Sequence, residues 1–196
     1  MNHLQLMAFF SPFSCYETYQ KILEEAVLEL QNEEFSDLKQ NIPKEFVSDC
    51  FVESDLEILF PESYIENVAE RIALYRELDN ITTDSELNAF VKRLEDRFGT
   101  LPQQAKDLVL MLRLRWLAKS LGFERFILKK GTMILYFVGN KDSAYYQSEI
   151  FGNVLRFIAN NSNSCKLREQ NNKRSILIQN VKSVSMAYQL LANIPL

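Results

Sequence analysis

Histidine and glycine are both scarce in this sequence of 196 residues. The one histidine, His3, lies in an irregular N-terminal stretch, so the usual general base and the usual zinc ligand are missing from the part expected to fold. The five glycines form neither GxGxxG nor GxxxxGK[ST], the loops in which backbone amides approach a phosphate. We therefore expect no histidine-dependent triad, no self-contained ATPase and no dehydrogenase, and we assign no catalytic or cofactor-binding residue.

Paired cysteines and long apolar runs are also missing. Cys15, Cys50 and Cys165 are odd in number, far apart and without CxxC spacing, which indicates neither a disulfide framework nor a zinc site and fits a reducing cytoplasm. No apolar run reaches the roughly 18 residues of a membrane span. Residues 1–15 lack a basic start and are interrupted by Ser11 and Pro12, so we interpret them as an irregular leader, not a signal peptide.

A basic excess is absent as well, since the net charge is -4 and the pI is about 5.2. Proteins that grip a phosphate backbone usually carry the opposite balance, so direct nucleic-acid binding is disfavoured. A small nucleic-acid-binding module remains the alternative function. Two features support it: three cations on one helix, Arg113, Arg115 and Lys119, and two strand aromatics beside two lysines, Tyr136 and Phe137 with Lys129 and Lys130.

Hydrophobic periodicity predicts an α+β fold. Helical spacing is found in segments 16–30, 62–78, 84–98, 102–121, 145–159 and 184–194. Alternation or β-rich composition is found in segments 46–60, 123–129, 132–138, 166–169 and 175–179. We expect several helices on a small, mostly antiparallel sheet, with an N-terminal amphipathic helix as an appendage. The expected organisation is a leader over 1–15, the helix and a linker over 16–43, and one domain over 44–196.

Local signals also predict which side chains are buried and how the helices end. We expect the 62–78 helix to bury Ile65, Val68, Ile72 and Tyr75, and the 145–159 helix to bury Leu155. Asp84 or Ser85 should cap the 84–98 helix, and Gly99 should close its last turn. Thr100 and Gln103 have the form of a capping box for the helix that follows, which is apolar on two flanks and therefore expected to be central.

A row of carboxylates on the first predicted strand has two interpretations. The row comprises Asp49, Glu53, Asp55 and Glu57. Carboxylates two apart on a strand share a face and could hold Mg²⁺, which would suit a metal-dependent phosphodiesterase. A solvated face that discourages edge-to-edge strand pairing is the preferred interpretation, because metal sites usually take carboxylates from different elements. No metal ligand is assigned.

The stretch FVKRLEDRFGTLP, residues 90–102, concentrates charges of both signs at one helix end. Lys92 and Asp96 are i, i+4 neighbours that can pair weakly, whereas Arg93 and Arg97 share a flank and repel. Exposed pairs of this kind add little stability, about 1 kcal/mol at most, yet charges set register and partner choice at interfaces. We take Arg93, Asp96 and Arg97 as candidate protein-interaction residues, against the alternative of a solvated helix end.

Four segments together resemble the C-terminal part of the bacterial transcription-repair coupling factor family. They are YETYQKILEEAVLEL (16–30), FPESYIENVAERIALYREL (60–78), LEDRFGTLP (94–102) and LRLRWLAKSLGFERF (112–126). The resemblance implies a parent protein that is a DNA translocase, which removes stalled RNA polymerase and recruits the excision-repair machinery. It also implies that residues 16–43 are the end of a helicase region. The helicase motors and the UvrB-like module of the family lie upstream of the matching part, so this chain itself is expected to be no enzyme and to need no cofactor.

For residues 44–196 the resemblance implies a regulatory clamp. In the family this domain docks on the UvrB-like module, hides the surface that recruits UvrA, and helps to repress the translocase until RNA polymerase is engaged. The charged docking residues before the DRFG motif correspond to Asp96 and Arg97. The family commonly has glutamate where this chain has Arg93, which puts one salt bridge of that surface in doubt. The implied direct partner is the UvrB-like module, with UvrA and RNA polymerase as indirect partners, and no membrane is expected.

Overall fold

The computed structural model describes residues 45–170 and 173–196. The leader and the helix predicted over Tyr16–Leu30 lie outside the described residues, so the proposed domain organisation stays a prediction. No helix in the described ranges is both long enough and apolar enough to cross a membrane.

The sheet has five strands, and they follow the order β1-β2-β3-β5-β4. They are β1 (Phe51–Ser54), β2 (Phe123–Lys129), β3 (Thr132–Phe137), β4 (Cys165–Gln170) and β5 (Lys173–Gln179). β1 pairs parallel with β2, and the other pairs are antiparallel. The predicted β2–β3 hairpin is confirmed. Its two-residue turn has φ of 51° at Lys130 and 68° at Gly131, the positive values that a tight hairpin turn requires.

Five α-helices are present in the described part of the chain. They are α1 (Val68–Asp79), α2 (Asp84–Phe98), α3 (Gln103–Ser120), α4 (Glu149–Asn160) and α5 (Val184–Ala192), with a short 3₁₀ turn at Ala144–Gln147 before α4. The predicted α+β class, with helices on a small, mostly antiparallel sheet, is therefore confirmed.

Helix α3 lies between two hydrophobic clusters. On one flank Leu114 and Ala118 pack with the sheet side chains Phe126 and Met133 in the larger cluster. The other flank belongs to a smaller helical cluster, whose buried members from α1, α2 and α3 are Leu78, Leu87, Phe90, Leu94, Ala105, Val109 and Leu112. The expectation that this helix is central is confirmed, and its two apolar flanks explain why it serves both clusters.

The first strand is shorter than the alternating pattern predicts. It spans four residues, and its pairing with β2 ends where Ser54 lies opposite Leu128. The Asp55 backbone N–H still donates a hydrogen bond of 3.3 Å to the Leu128 carbonyl, but β2 turns back at Lys130, so no partner strand is present for the residues after Asp55. The Asp55 carboxylate instead accepts a hydrogen bond of 2.9 Å from the Lys130 backbone N–H. Alternation alone cannot predict strand length, because length also depends on the partner strand.

Helix α1 begins six residues later than predicted, and its buried face differs. Pro61 accepts hydrogen bonds from the backbone N–H groups of Tyr64 and Ile65, which form a turn before the helix. Ile65 is buried in that turn. The turn sets the direction of α1, so Val68 is 56% exposed and Ile72 is 40% exposed, contrary to expectation.

Four further local predictions are wrong. Thr83, not Asp84 or Ser85, caps α2, and it forms a reciprocal capping box with Glu86. Thr100 does not cap α3, which follows Pro102 without a side-chain cap. On α4, Leu155 is 39% exposed instead of buried, and the helical segment predicted from Tyr145 begins as the 3₁₀ turn.

Candidate protein-interaction site

The candidate site lies where two antiparallel helices meet. Asn67 caps α1 by accepting a hydrogen bond of 3.1 Å from the Glu70 N–H. The Thr83–Glu86 capping box starts α2 after a turn of only a few residues. The end of α2 therefore returns beside the start of α1, and Arg97 of α2 lies 2.5 Å from Glu70 of α1.

The two arginines of the site are each paired with a glutamate of α1. Arg97 contacts Glu70 and Arg93 contacts Glu77, one helical turn apart along α2. Both guanidinium groups also lie near aromatic rings. Arg93 is 5.8 Å from the Phe90 ring centroid, and Arg97 is 5.0 Å from that of Phe98. The repulsion expected between the two arginines is thereby offset, and the arginines remain 61% and 66% exposed.

Asp96 differs from the two arginines because its carboxylate has no ion-pair or hydrogen-bond partner among the described residues. It is exposed on the last turn of α2. The weak pair expected between Lys92 and Asp96 is not formed. A carboxylate near a helix C-terminus is also in an unfavourable position relative to the helix dipole. The fold therefore gives Asp96 no stabilising interaction, while it supports both neighbouring arginines.

The corner after α2 is held by one tyrosine. Gly99 closes the helix with φ of 82°, a conformation in which side chains other than glycine are strained. The Tyr64 hydroxyl donates a hydrogen bond of 2.8 Å to the Gly99 carbonyl, and its ring lies 5.8 Å from the Phe98 ring. Burial, and then the Glu95 charge, raises the pKa of Tyr64, so the hydroxyl stays a donor. The site is consequently presented on a fixed support.

Three carboxylates of the acidic row, those of Asp49, Glu53 and Asp55, have structural partners. Lys129 first, and then Arg125, lower the pKa of Glu53 through hydrogen bonds of 2.8 and 2.7 Å. Asp49 accepts from Arg115 at 2.5 Å. No group of three side chains suited to a metal ion is found in residues 45–170 and 173–196. The row thus serves to hold β1 and the segment before it.

The three cations of α3 considered for phosphate binding are likewise engaged in ion pairs. Arg113 pairs with Asp84 at 2.6 Å, and Arg115 bridges Asp49 and Asp79. Lys119 lies 3.0 Å from Glu45. Phe137 is buried in the core, so it is not available for stacking on a base. Through these ion pairs, the three cations of α3 connect this helix to α1, to α2 and to the segment before β1.

Sequence reasoning missed Glu70 and Glu77 as part of the site. They are seven residues apart, two turns on one flank of α1, and they face two arginines one turn apart on α2. The spacing on each helix is visible in the sequence. The pairing is not, since it requires the antiparallel arrangement of the two helices.

Comparison with known proteins shows which proteins the chain is similar to. Residues 54–148 match the family model of the TRCF domain. The transcription-repair-coupling factor of Rickettsia typhi is 26% identical over 155 residues, which is 79% of this chain and 13% of the relative. That of Escherichia coli K12 is 35% identical over 74 residues, covering 38% of this chain and 6% of the relative.

A solved structure has the same fold. The crystal structure of the C-terminal domain of a transcription-repair coupling factor superposes with a TM-score of 0.57 at 15% identity, covering 74% of this chain and 93% of the other. At that identity the likeness concerns the fold alone. The chain spans about 13% of the length of the first curated relatives that it matches.

Proposed function

We propose that this chain is the regulatory docking domain of a transcription-repair coupling factor and that it represses a longer parent protein, a proposal supported by its similarity to the TRCF domain and to the C-terminal domain of such a factor. In this proposal the domain docks on the UvrB-like module of the parent and masks the surface that recruits UvrA. The parent is an ATP-dependent DNA translocase of transcription-coupled nucleotide excision repair in the cytoplasm. The domain itself catalyses no reaction and acts through binding alone.

The observation that carries the proposal is the unpaired Asp96 between two supported arginines. A charge that the fold does not neutralise contributes nothing to stability, so a partner surface is the natural source of its counter-ion. Arg97 keeps donors free for a second carboxylate, because a guanidinium has five N–H groups and the contact with Glu70 is made through one nitrogen. The surface thus offers one acceptor and adjacent donors in fixed positions.

Arg93 refines the chemistry of the partner. The family commonly has glutamate at this position, whereas here the guanidinium is paired with Glu77 and is still 61% exposed. In relatives with glutamate at this position, the facing residue of the partner is expected to be basic. Such a basic residue would be repelled by Arg93. We therefore expect an acidic or neutral residue at the corresponding position of this protein's own UvrB-like module.

The test is a charge reversal at Asp96 in the intact parent protein. Asp96→Arg should place a cation opposite the partner's cation, release the docked domain, and raise ATP hydrolysis and UvrA binding by about tenfold, the effect of about 1.4 kcal/mol on docking. ATPase assays and a UvrA binding isotherm measure both effects. Because Asp96 has no partner within the domain, the variant should fold normally.

The matched control is Asp142→Arg, which makes the same charge change at an exposed position after β3. It should leave both readouts unchanged. Unchanged ATPase and UvrA binding in Asp96→Arg would show that Asp96 has no docking role. Equal activation by both variants would attribute the effect to net charge instead of a specific surface.

A further inference from the structure

The two faces of the sheet have different surroundings. Phe126, Leu128, Met133 and Leu135 point to the helices and belong to the large core cluster. On the opposite face, which we call the outer face, the strand register aligns Ile127, Ile134 and Leu177 in one row. Within the described parts of the chain, these three residues do not belong to the core that packs on the helices. The outer face is thus a separate surface.

The outer face is strongly basic although the chain as a whole is acidic. Strand alternation and register place five cations there, namely Arg125, Lys129, Lys166, Arg168 and Lys173. Glu53 is the carboxylate that the β1–β2 register places among them. Arg125 and Lys129 share Glu53, while the exposed Lys166 and Arg168 have no carboxylate partner among the described residues. The net charge of the whole chain is -4, so the outer face is positive on a chain that is negative as a whole.

One row of the outer face is aromatic at one end and basic at the other. Phe51, Arg125 and Tyr136 are aligned on three neighbouring strands, and Ser175 and Arg168 continue the row. The Arg125 guanidinium lies 5.5 Å from the Phe51 ring centroid and 5.9 Å from that of Tyr136. Phe51 is 60% exposed, and Arg125 Nε is buried without a hydrogen-bond acceptor. An exposed ring beside a guanidinium is the combination on which unpaired bases stack.

We propose that the outer face binds single-stranded DNA. The five strands give a track of about four inter-strand spacings, ~19 Å, with cations along it and an aromatic ring at the β1 edge. Phosphates would contact Lys166 and Arg168, and a base would stack on Phe51. Leu177 is itself buried, at 7% exposure, and the half-buried Ile127 and Ile134 beside it offer no hydrogen-bond partner to a ribose 2′-hydroxyl, which favours DNA over RNA. This surface is different from the α1–α2 corner, so the two proposals can fail independently.

The experiment measures binding of the full chain to a fluorescent oligothymidylate of about 12 nucleotides by anisotropy at low salt. We expect log K to fall against log salt with a slope of about -3, which corresponds to roughly four phosphate contacts at 0.7 each. Lys166→Glu with Arg168→Glu should weaken binding by at least about tenfold and halve that slope. Phe51→Ala should weaken binding by about fivefold or more while leaving the slope unchanged, because stacking is insensitive to salt.

The matched control is Lys92→Glu with Lys106→Glu, which makes the same charge change on exposed positions of α2 and α3. It should change the affinity by less than about twofold. No binding at low salt, or equal weakening by both double variants, would overturn the proposal. Equally tight binding of an oligoglutamate peptide, together with no effect of Phe51→Ala, would identify the face as a surface for acidic proteins. Tighter binding of oligouridylate would overturn the assignment to DNA.

Discussion

At the scale of single residues, Gly122 has the tightest surroundings of the glycines. It follows α3 with φ of 82°, and a β-carbon built at this position would overlap the ring of Tyr145. That ring is fully buried, and its hydroxyl donates a hydrogen bond of 2.8 Å to the Leu121 carbonyl. Both the backbone conformation and the close approach therefore require glycine.

We expect Gly122→Ala to lower the free energy of unfolding by about 3 kcal/mol, through overpacking against Tyr145 and strain at positive φ. Urea denaturation followed by circular dichroism measures the loss. Gly152→Ala is the matched control, because Gly152 lies within α4 and a β-carbon there meets no atom within 4 Å. It should raise stability by about 0.5–1 kcal/mol, the helix-propensity difference. Similar losses in both variants would contradict the steric explanation.

At the scale of elements, the Thr83 capping box separates α1 from α2 and so sets the geometry of the charged corner. Thr83 accepts a hydrogen bond from the Glu86 N–H at 3.3 Å, and Glu86 accepts from the Thr83 N–H at 3.1 Å. A hydrogen bond from the Thr82 N–H, followed by hydrogen bonds from the Thr83 hydroxyl and N–H, lowers the pKa of the Glu86 carboxyl. Thr83→Ala should cost about 1 kcal/mol in a denaturant titration.

Thr100→Ala provides the comparison for that measurement. Thr100 has the same capping pattern in the sequence, with Gln103 three residues on, but α3 begins without a side-chain cap. Its removal should change stability by less than about 0.5 kcal/mol. A loss as large as that of Thr83→Ala would mean that Thr100 stabilises the start of α3 in solution.

Some features of the fold could be predicted from the sequence and others could not. Features set by local spacing were predicted well: the central position of α3, the β2–β3 hairpin and the role of Gly99 at the end of α2. Features that depend on a distant neighbour were not. The length of β1 depends on where β2 turns, and the exposure of Val68 depends on the turn at Pro61. Local pattern therefore predicts element type better than element boundaries.

The candidate site likewise has features that the sequence predicts and features that it does not. That Asp96 lies exposed at the end of a charged helix follows from the period of α2. That Arg93 and Arg97 are paired with α1 does not follow, because ion pairs between helices depend on their packing. The cationic outer face was missed for the same reason. Its residues come from five strands that are dispersed along the chain and meet only in the sheet register.

At the scale of the whole described domain, α3 joins two hydrophobic clusters that otherwise have separate members. Leu114 belongs to the sheet cluster and Leu112 to the helical cluster, two residues apart on one helix. The single tryptophan of the chain, Trp116, packs against the helical cluster. Its fluorescence therefore reports on one cluster, while far-ultraviolet circular dichroism reports on all helices and strands.

We expect the two clusters to unfold together, because α3 cannot lose its contacts on one flank without exposing the other. Leu135→Ala, a fully buried position in the sheet, should lower stability by about 3 kcal/mol and shift the Trp116 and circular dichroism midpoints equally. Leu167→Ala, on the exposed edge strand β4, should shift neither by more than about 0.5 kcal/mol. If Leu135→Ala shifted the dichroism midpoint and left the Trp116 transition in place, the helical cluster would be an independent folding unit. The charged corner would then be supported without the sheet.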